Sequence, residues 1–243
     1  MMKKFFESGG IYTPLWSGNQ NSGFPVLKKN RRKEVEMKGR DLQGISSTLT
    51  VSVKEIPCYH EYVGEIPIGV LPFNECMSST ETNKTVHFYI DDRLFLRVFR
   101  HPENYVTVLS RFPSVIAPDF SIRVGMTKME IAYSIAVSRT VADYLYANGV
   151  KVIPNIQWCV PEMYDLCFDG IPKHGVVAVN CTGIIGCDAS KYLWQCGYKE
   201  MLKRLEPSCI IRYGDKLPCE DEGRSVYFSN ERLLRLRGNT YGS

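Results

Sequence analysis

Five short apolar runs in the chain end in side chains able to bind ligands or move protons. Asp91 and Asp92 follow residues 86–90, and Asp119 and Ser121 follow residues 115–117. Asn155, Gln157 and Trp158 close the run that starts at Val150. Asn180 and Thr182 close the run from Val176, and Arg212, Tyr213 and Asp215 the run from Cys209. Grouped carboxylates supply the hard oxygen ligands that Mg²⁺ or Mn²⁺ takes. A buried carboxylate whose pKa is raised can instead serve as a general acid or base. Asp119 lies between Pro118 and Phe120, an apolar setting that should not hold an unpaired charge. We therefore expect Asp91 and Asp119 to form a metal-binding pair. Asp91, Asp119 and Asp169 are the expected catalytic carboxylates, and Trp158, Arg139, Asn155, Ser121, Thr182 and Tyr213 the expected ligand contacts.

Each of these residues also has a plain reading. Asp92 follows a strand and precedes a helix, where aspartate is a common cap. Asp169 precedes Gly170 and can make a turn, and Trp158 can be core. Arg139 falls on the edge of the apolar stripe formed by Ile131, Ile135, Ala142 and Leu145. An arginine there needs an anion or a structural ion pair. The chain has no dinucleotide-type or P-loop glycine pattern, no H-E-x-x-H and no G-x-S-x-G. Four histidines (60, 87, 101 and 174) give little support to a Ser–His–Asp hydrolase. Nine cysteines occur without a C-x-x-C pair, several of them inside apolar runs, so they read as core thiols in a reducing compartment.

The charge is uneven. Of a formal net charge of +4, residues 28–40 alone supply +5, and the remainder is slightly acidic. Lys28, Lys29, Arg31, Arg32 and Lys33 lead this stretch, and such a run can neutralise phosphates or simply be a solvated linker. Hydrophobic residues at 44% and charged residues at 23% are ordinary globular values, which excludes a disordered or collagen-like chain. No apolar run is long enough to span a membrane, and Glu7 interrupts the apolar start before a signal-peptide core develops. The expected location is the cytoplasm.

The elements that would position the site alternate. Continuous apolar strands at 86–90, 115–117, 150–158, 176–181, 209–214 and 226–228 suit a parallel sheet covered on both faces. Helices fall between them, clearest over 128–148. There Thr127 and Glu130 form a capping box, and Gly149 stops the helix. The expected organisation is an irregular basic arm over 1–64 with a possible strand at 45–56, an α/β core over 65–229 and a basic tail over 230–243. Residues 57–84 read as loop. The core is expected to be TIM-barrel-like, closed or incomplete, with an open doubly wound sheet as the alternative. Both architectures bind ligands at the strand C-terminal ends.

Several segments recur in a family order: 86–92 (Val-His-Phe-Tyr-Ile-Asp-Asp), 118–121 (Pro-Asp-Phe-Ser), Ser138-Arg139, 152–155 (Val-Ile-Pro-Asn), Trp158, 168–172 (Phe-Asp-Gly-Ile-Pro) and Tyr213-Gly214. Over about residues 65–229 the chain resembles the bacterial, phage and mobile-element family labelled domain of unknown function 4417. It departs from the family pattern at Val137, where a second arginine is usual, and at Phe99, where a tryptophan is usual. The resemblance implies a phage or mobile-element setting and a shared site for Asp91, Asp119, Trp158 and Asp169. Three functions stay open: a metal-assisted phosphoester hydrolase acting on nucleic acid or nucleotides, a non-catalytic nucleotide or nucleic-acid binding module, and a factor that binds a host or element-encoded protein.

Overall fold

The computed structural model describes residues 49–218 and 223–230. The basic stretch from Lys28 to Lys33 and the tail beyond residue 230 lie outside them. Seven parallel strands alternate with helices. The order is β1 (Val70–Pro72), α1 (Phe73–Cys76), β2 (Thr85–His87), α2 (Asp92–Arg100), α3 (Val106–Leu109), β3 (Val115–Ile116), α4 (Lys128–Ala147), β4 (Val152–Ile153), α5 (Tyr164–Cys167), β5 (Val176–Cys181), α6 (Asp188–Leu205), β6 (Cys209–Gly214) and β7 (Ser225–Ser229). Short 3₁₀ turns at Pro102–Asn104 and Pro161–Met163 lead into α3 and α5.

The strands form a four-stranded sheet in the order β1-β2-β3-β4 and a three-stranded sheet in the order β5-β6-β7. Every pairing is parallel. A parallel bridge between Asn155 and Ala178 joins the two sheets, with Ile156 N–H donating to Ala178 O at 2.8 Å and Ala178 N–H to Pro154 O at 2.8 Å. The order follows the chain, so neither sheet contains the reversal that defines a doubly wound fold. Among the described residues β7 and β1 do not pair, so a closed barrel is not formed by them.

The succession of strands nevertheless curves. Ile116, Ile153, Ala178, Ile211 and Tyr213 pack in one cluster with Tyr62 and Tyr89, and Val70, Val176 and Phe228 join it. Each strand thus contributes at its own position or one just beyond its end. His87 on β2 lies 4.3 Å, ring to ring, from Tyr213 on β6. Three strands lie between these two in order, yet their side chains touch. The opposite face packs against the helices in a larger cluster that includes Phe73, Phe88, Phe95, Leu145, Met201 and Leu205. Burial on both faces is what the continuous apolar runs require.

Local chemistry sets the element ends. The Thr127–Glu130 capping box forms in full at the start of α4. Gly149 follows the helix at φ +82°, a conformation glycine adopts without a Cβ clash. Two expectations fail nearby. The alternation at 45–56 does not make a strand over its described part. Ser52 O accepts Glu55 N–H, Glu55 takes a positive φ, and one antiparallel bridge joins Val51 to Pro57. Lys54 and Glu55 break the pattern by turning the chain, and Val53 is left fully exposed. Residues 57–84 are not all loop, because β1 and α1 form within them. Ile56, Tyr59 and Tyr62 are buried in the core clusters. No helix among the described residues is long and apolar enough to cross a membrane.

Candidate functional site

Asp119 leaves the end of β3 and is half-buried. Asn155, two residues past β4, donates from Nδ2 to Asp119 Oδ1 at 2.7 Å. Asn180, near the end of β5, donates from Nδ2 to Asp119 Oδ2 at 2.9 Å. The carboxylate thus sits between two amides carried by the next two strands. Neither amide is loose. Tyr89 Oη donates to Asn155 Oδ1 at 3.0 Å, and Thr182 N–H donates to Asn180 Oδ1 at 2.8 Å. Tyr59 Oη donates to the Asn155 backbone carbonyl at 3.2 Å, and Trp194 Nε1 to the Asn180 carbonyl at 3.1 Å. Burial raises the Asp119 pKa above the usual carboxylate value, while the Asn155 and Asn180 hydrogen bonds pull it back and Asp92 adds to the rise. Burial also pushes Tyr59 up to about 12 and Tyr89 well above its ordinary value, so both phenols stay protonated donors.

The second carboxylate near Asp119 is Asp92. Its Oδ1 accepts from Ser121 Oγ at 3.0 Å and its Oδ2 from Ser121 N–H at 3.1 Å, which fastens the loop carrying Asp119 to the start of α2. Burial raises the Asp92 pKa, and the two Ser121 bonds and Arg123 oppose that. Gln157 donates to Phe120 O at 2.7 Å on the other side of the same loop. Below lies an aromatic floor of Tyr89, Tyr213 and His87. Backbone Tyr89 N–H donates to His87 Nδ1 at 3.1 Å, so this neutral ring carries its proton on Nε2. Burial drives the His87 pKa down to about 3.

The structure brings Asp119, Asn155, Ser121, Thr182 and Tyr213 to one end of the strands. Thr182 acts through its backbone, and its Oγ1 is buried without a hydrogen-bond partner. Asp91, expected to pair with Asp119 around a metal, is instead engaged by Arg93. Asp91 caps α2 through Arg93 N–H and turns both oxygens onto the Arg93 guanidinium, at 2.9 and 2.8 Å. That pairing lowers the Asp91 pKa to about 2. The roles of adjacent aspartates are exchanged: Asp91 caps and Asp92 faces the site. Among the described residues no group of three or more His, Cys, Asp or Glu side chains is arranged to hold a metal ion.

Three other expected residues lie elsewhere. Arg139 is buried and donates to the backbone carbonyls of Pro57 at 3.1 Å, Cys167 at 2.9 Å and Asp169. Its guanidinium also sits 5.1 Å from the centre of the Tyr59 ring. These three bonds tie residues 57, 167 and 169 together, which makes Arg139 a structural clamp. Asp169 belongs to that clamp through its carbonyl, and its Oδ2 is buried without a hydrogen-bond partner. Trp158 packs with Trp194, Phe168 and Tyr198, and its ring occupies the space a side chain at Gly197 would need. Its contacts are those of a packing residue, with part of the ring left accessible. Tyr89 and Tyr59 are the contributors the sequence left unassigned, and Asp92 joins them in place of its expected role as a helix cap. His87 and Tyr89 at i and i+2 do carry a signal, since two polar heads on one face of an apolar strand mark a lined interior.

Fold and site together define a parallel α/β domain with a half-buried acceptor carboxylate at the strand C-terminal ends. Residues 20–229 match the model of the family described as Domain of unknown function (DUF4417), and the chain belongs to that family. It is 31% identical over 136 residues to the Gene 1 protein of Mycobacterium phage L5, an alignment covering 56% of this chain and 59% of that protein. It is likewise 31% identical over 136 residues to the Gene 1 protein of Mycobacterium phage D29, covering 50% of that protein. The match thus spans little more than half the length of these phage relatives. No solved structure matches the chain.

Proposed function

We propose that this is a bacteriophage protein, acting in the host cytoplasm, that handles a nucleotide-class ligand with Asp119 as its general acid–base group. The supporting observation is the Asp119 carboxylate, boxed by Asn155 and Asn180 at the strand ends with its pKa raised. A carboxylate so held accepts hydrogen bonds from a sugar hydroxyl or base amine, and a raised pKa brings it nearer a working pH. Exposed Arg123 lies close enough to Asp91 and Asp92 to draw both pKa values down, which puts a cation at the rim for a phosphate. We read the curved strand succession as an incomplete parallel barrel, an architecture whose sites gather at the strand C-terminal ends. The basic stretch at 28–40 would add affinity for a polynucleotide. Because Asp91 is spent on Arg93, acid–base handling by Asp119 is better supported than hydrolysis by a metal held between Asp91 and Asp119.

The test is a thermal-shift and calorimetric screen of the full chain against nucleoside mono-, di- and triphosphates and short oligonucleotides, with and without Mg²⁺ or Mn²⁺. A ligand that binds the native state raises the midpoint by mass action. A nucleotide that shifts wild type and not Asp119→Ala supports the reading. No shift with any ligand, or the same shift in both proteins, removes it.

A further inference from the structure

The carboxylate of Asp119 can only accept hydrogen bonds, so an amide beside it must present N–H and turn its oxygen away. For Asn155, 3% exposed, that oxygen then needs a donor, because a buried acceptor left unpaired is costly. Tyr89 Oη supplies it at 3.0 Å. For Asn180 the Thr182 N–H supplies it at 2.8 Å. We infer that Tyr89 is a positioning residue: with the Thr182 N–H on the far side, it fixes both asparagine amides with N–H toward Asp119, which leaves the carboxylate's remaining lone pairs to select a hydrogen-bond donor on the ligand. The ligand part of this inference rests on the proposed function; the amide lock does not.

Tyr89 lies just beyond the end of β2, Asp119 after β3, Asn155 after β4 and Asn180 within β5, so the lock ties four successive strands. Its hydroxyl reaches Asp119 only through Asn155. In Tyr89→Phe the Asn155 oxygen loses its donor and the amide is free to turn. A protonated Asp119 could then donate to that oxygen, and an ionised one could not. The neutral form of Asp119 gains, so its pKa rises.

The test is a carboxyl ¹³C NMR titration of Asp119 in the ligand-free full chain, comparing wild type, Tyr89→Phe and Tyr59→Phe. Tyr59 is the matched control, since its hydroxyl touches the same Asn155 at the backbone carbonyl instead of the side-chain oxygen. We expect the Asp119 midpoint to rise in Tyr89→Phe and to stay at the wild-type value in Tyr59→Phe. An unchanged midpoint in Tyr89→Phe, or an equal rise in both variants, overturns the inference. In case Tyr89→Phe fails to fold, wild type alone gives a second readout. The Asn155 and Asn180 side-chain amide ¹⁵N signals should follow the Asp119 midpoint, and signals that ignore it overturn the lock. A protein that shows the lock and binds no nucleotide would retain this inference and lose the proposed function.

Discussion

Arg139 and Asp119 are both charges taken largely out of water, and the protein treats them in opposite ways. Arg139 is satisfied by three backbone carbonyls and an aromatic ring, all from segments that the arginine itself holds together. Asp119 is satisfied by two side-chain amides that are in turn held by other groups, and it keeps part of its surface. A charge bonded to backbone carbonyls of distant segments serves the fold. A charge held by oriented side chains at the strand ends, with acceptor capacity to spare, is available for chemistry.

The sharpest way to break this contrast is to remove Arg139. Arg139→Leu should cost about 3–5 kcal/mol of stability, because three carbonyls lose their shared donor. Urea unfolding would read it, and a loss under 1 kcal/mol would mean the clamp is not structural. Arg139→Lys should recover only part, since an ammonium cannot match the planar fork.

Next comes the floor beneath Asp119. His87 stays neutral in the folded chain down to about pH 3, whereas an unfolded histidine protonates near 6.5. Its contribution is therefore full above pH 6.5 and is lost as pH falls from there toward 3. By pH 3 the loss is on the order of 4 kcal/mol. His87→Gln keeps an acceptor for Tyr89 N–H and cannot protonate. It should flatten the acid limb of stability against pH, and an unchanged limb would count against a buried neutral ring.

Asp119→Ala should weaken ligand binding about tenfold or more, as expected for a lost charged hydrogen bond, while the chain stays folded. The pH sign is opposite to that of His87. A carboxylate whose pKa is raised on folding favours the native state below the unfolded value, and that advantage disappears as pH rises through the folded value. Stability of wild type relative to Asp119→Ala should therefore fall with rising pH above the usual carboxylate range. A difference that rises instead would show that the amides outweigh burial.

Gly197→Ala is a smaller probe. The added Cβ would lie 2.0 Å from Trp158 Cδ1, so the indole must move, at about 1–3 kcal/mol. Ligand affinity should be unaffected per folded molecule if Trp158 only packs. Smallest is Asp91→Ala, which removes a helix cap at about 1 kcal/mol and leaves ligand binding intact. Loss of binding in that variant would return Asp91 to the site.

The sequence made β5 and β6 legible to the residue, because long apolar strands leave no competing pattern. It also showed α4, through its capping box and terminal glycine. It did not show β1, a three-residue strand ending at Pro72, where loop chemistry outweighs a short apolar signal. Asp119 and Asn155 were visible from their place after strands. The exchange between Asp91 and Asp92 was not, since one residue of rotation at a helix start decides which carboxylate turns inward. Arg139 was visible only as an arginine needing partners. That those partners are carbonyls of residues 57, 167 and 169 is long-range information that no local pattern carries.

The Arg139 clamp also constrains the order in which the chain can settle. Tyr59 N–H donates to Gly170 O, His60 Nε2 meets Asp143 Oδ1 at 2.7 Å, and Lys54 reaches Asp165 O across 111 residues of chain. The segment at 54–60 is made early and does not have its full set of partners until residue 170 exists. At about 5–20 residues per second of synthesis, it waits for about 5–20 s, while the sequential strands that follow can pair with near neighbours as they emerge. An early-made part of the described chain is thus fastened late relative to its own synthesis, and its arrival closes the lock around Arg139.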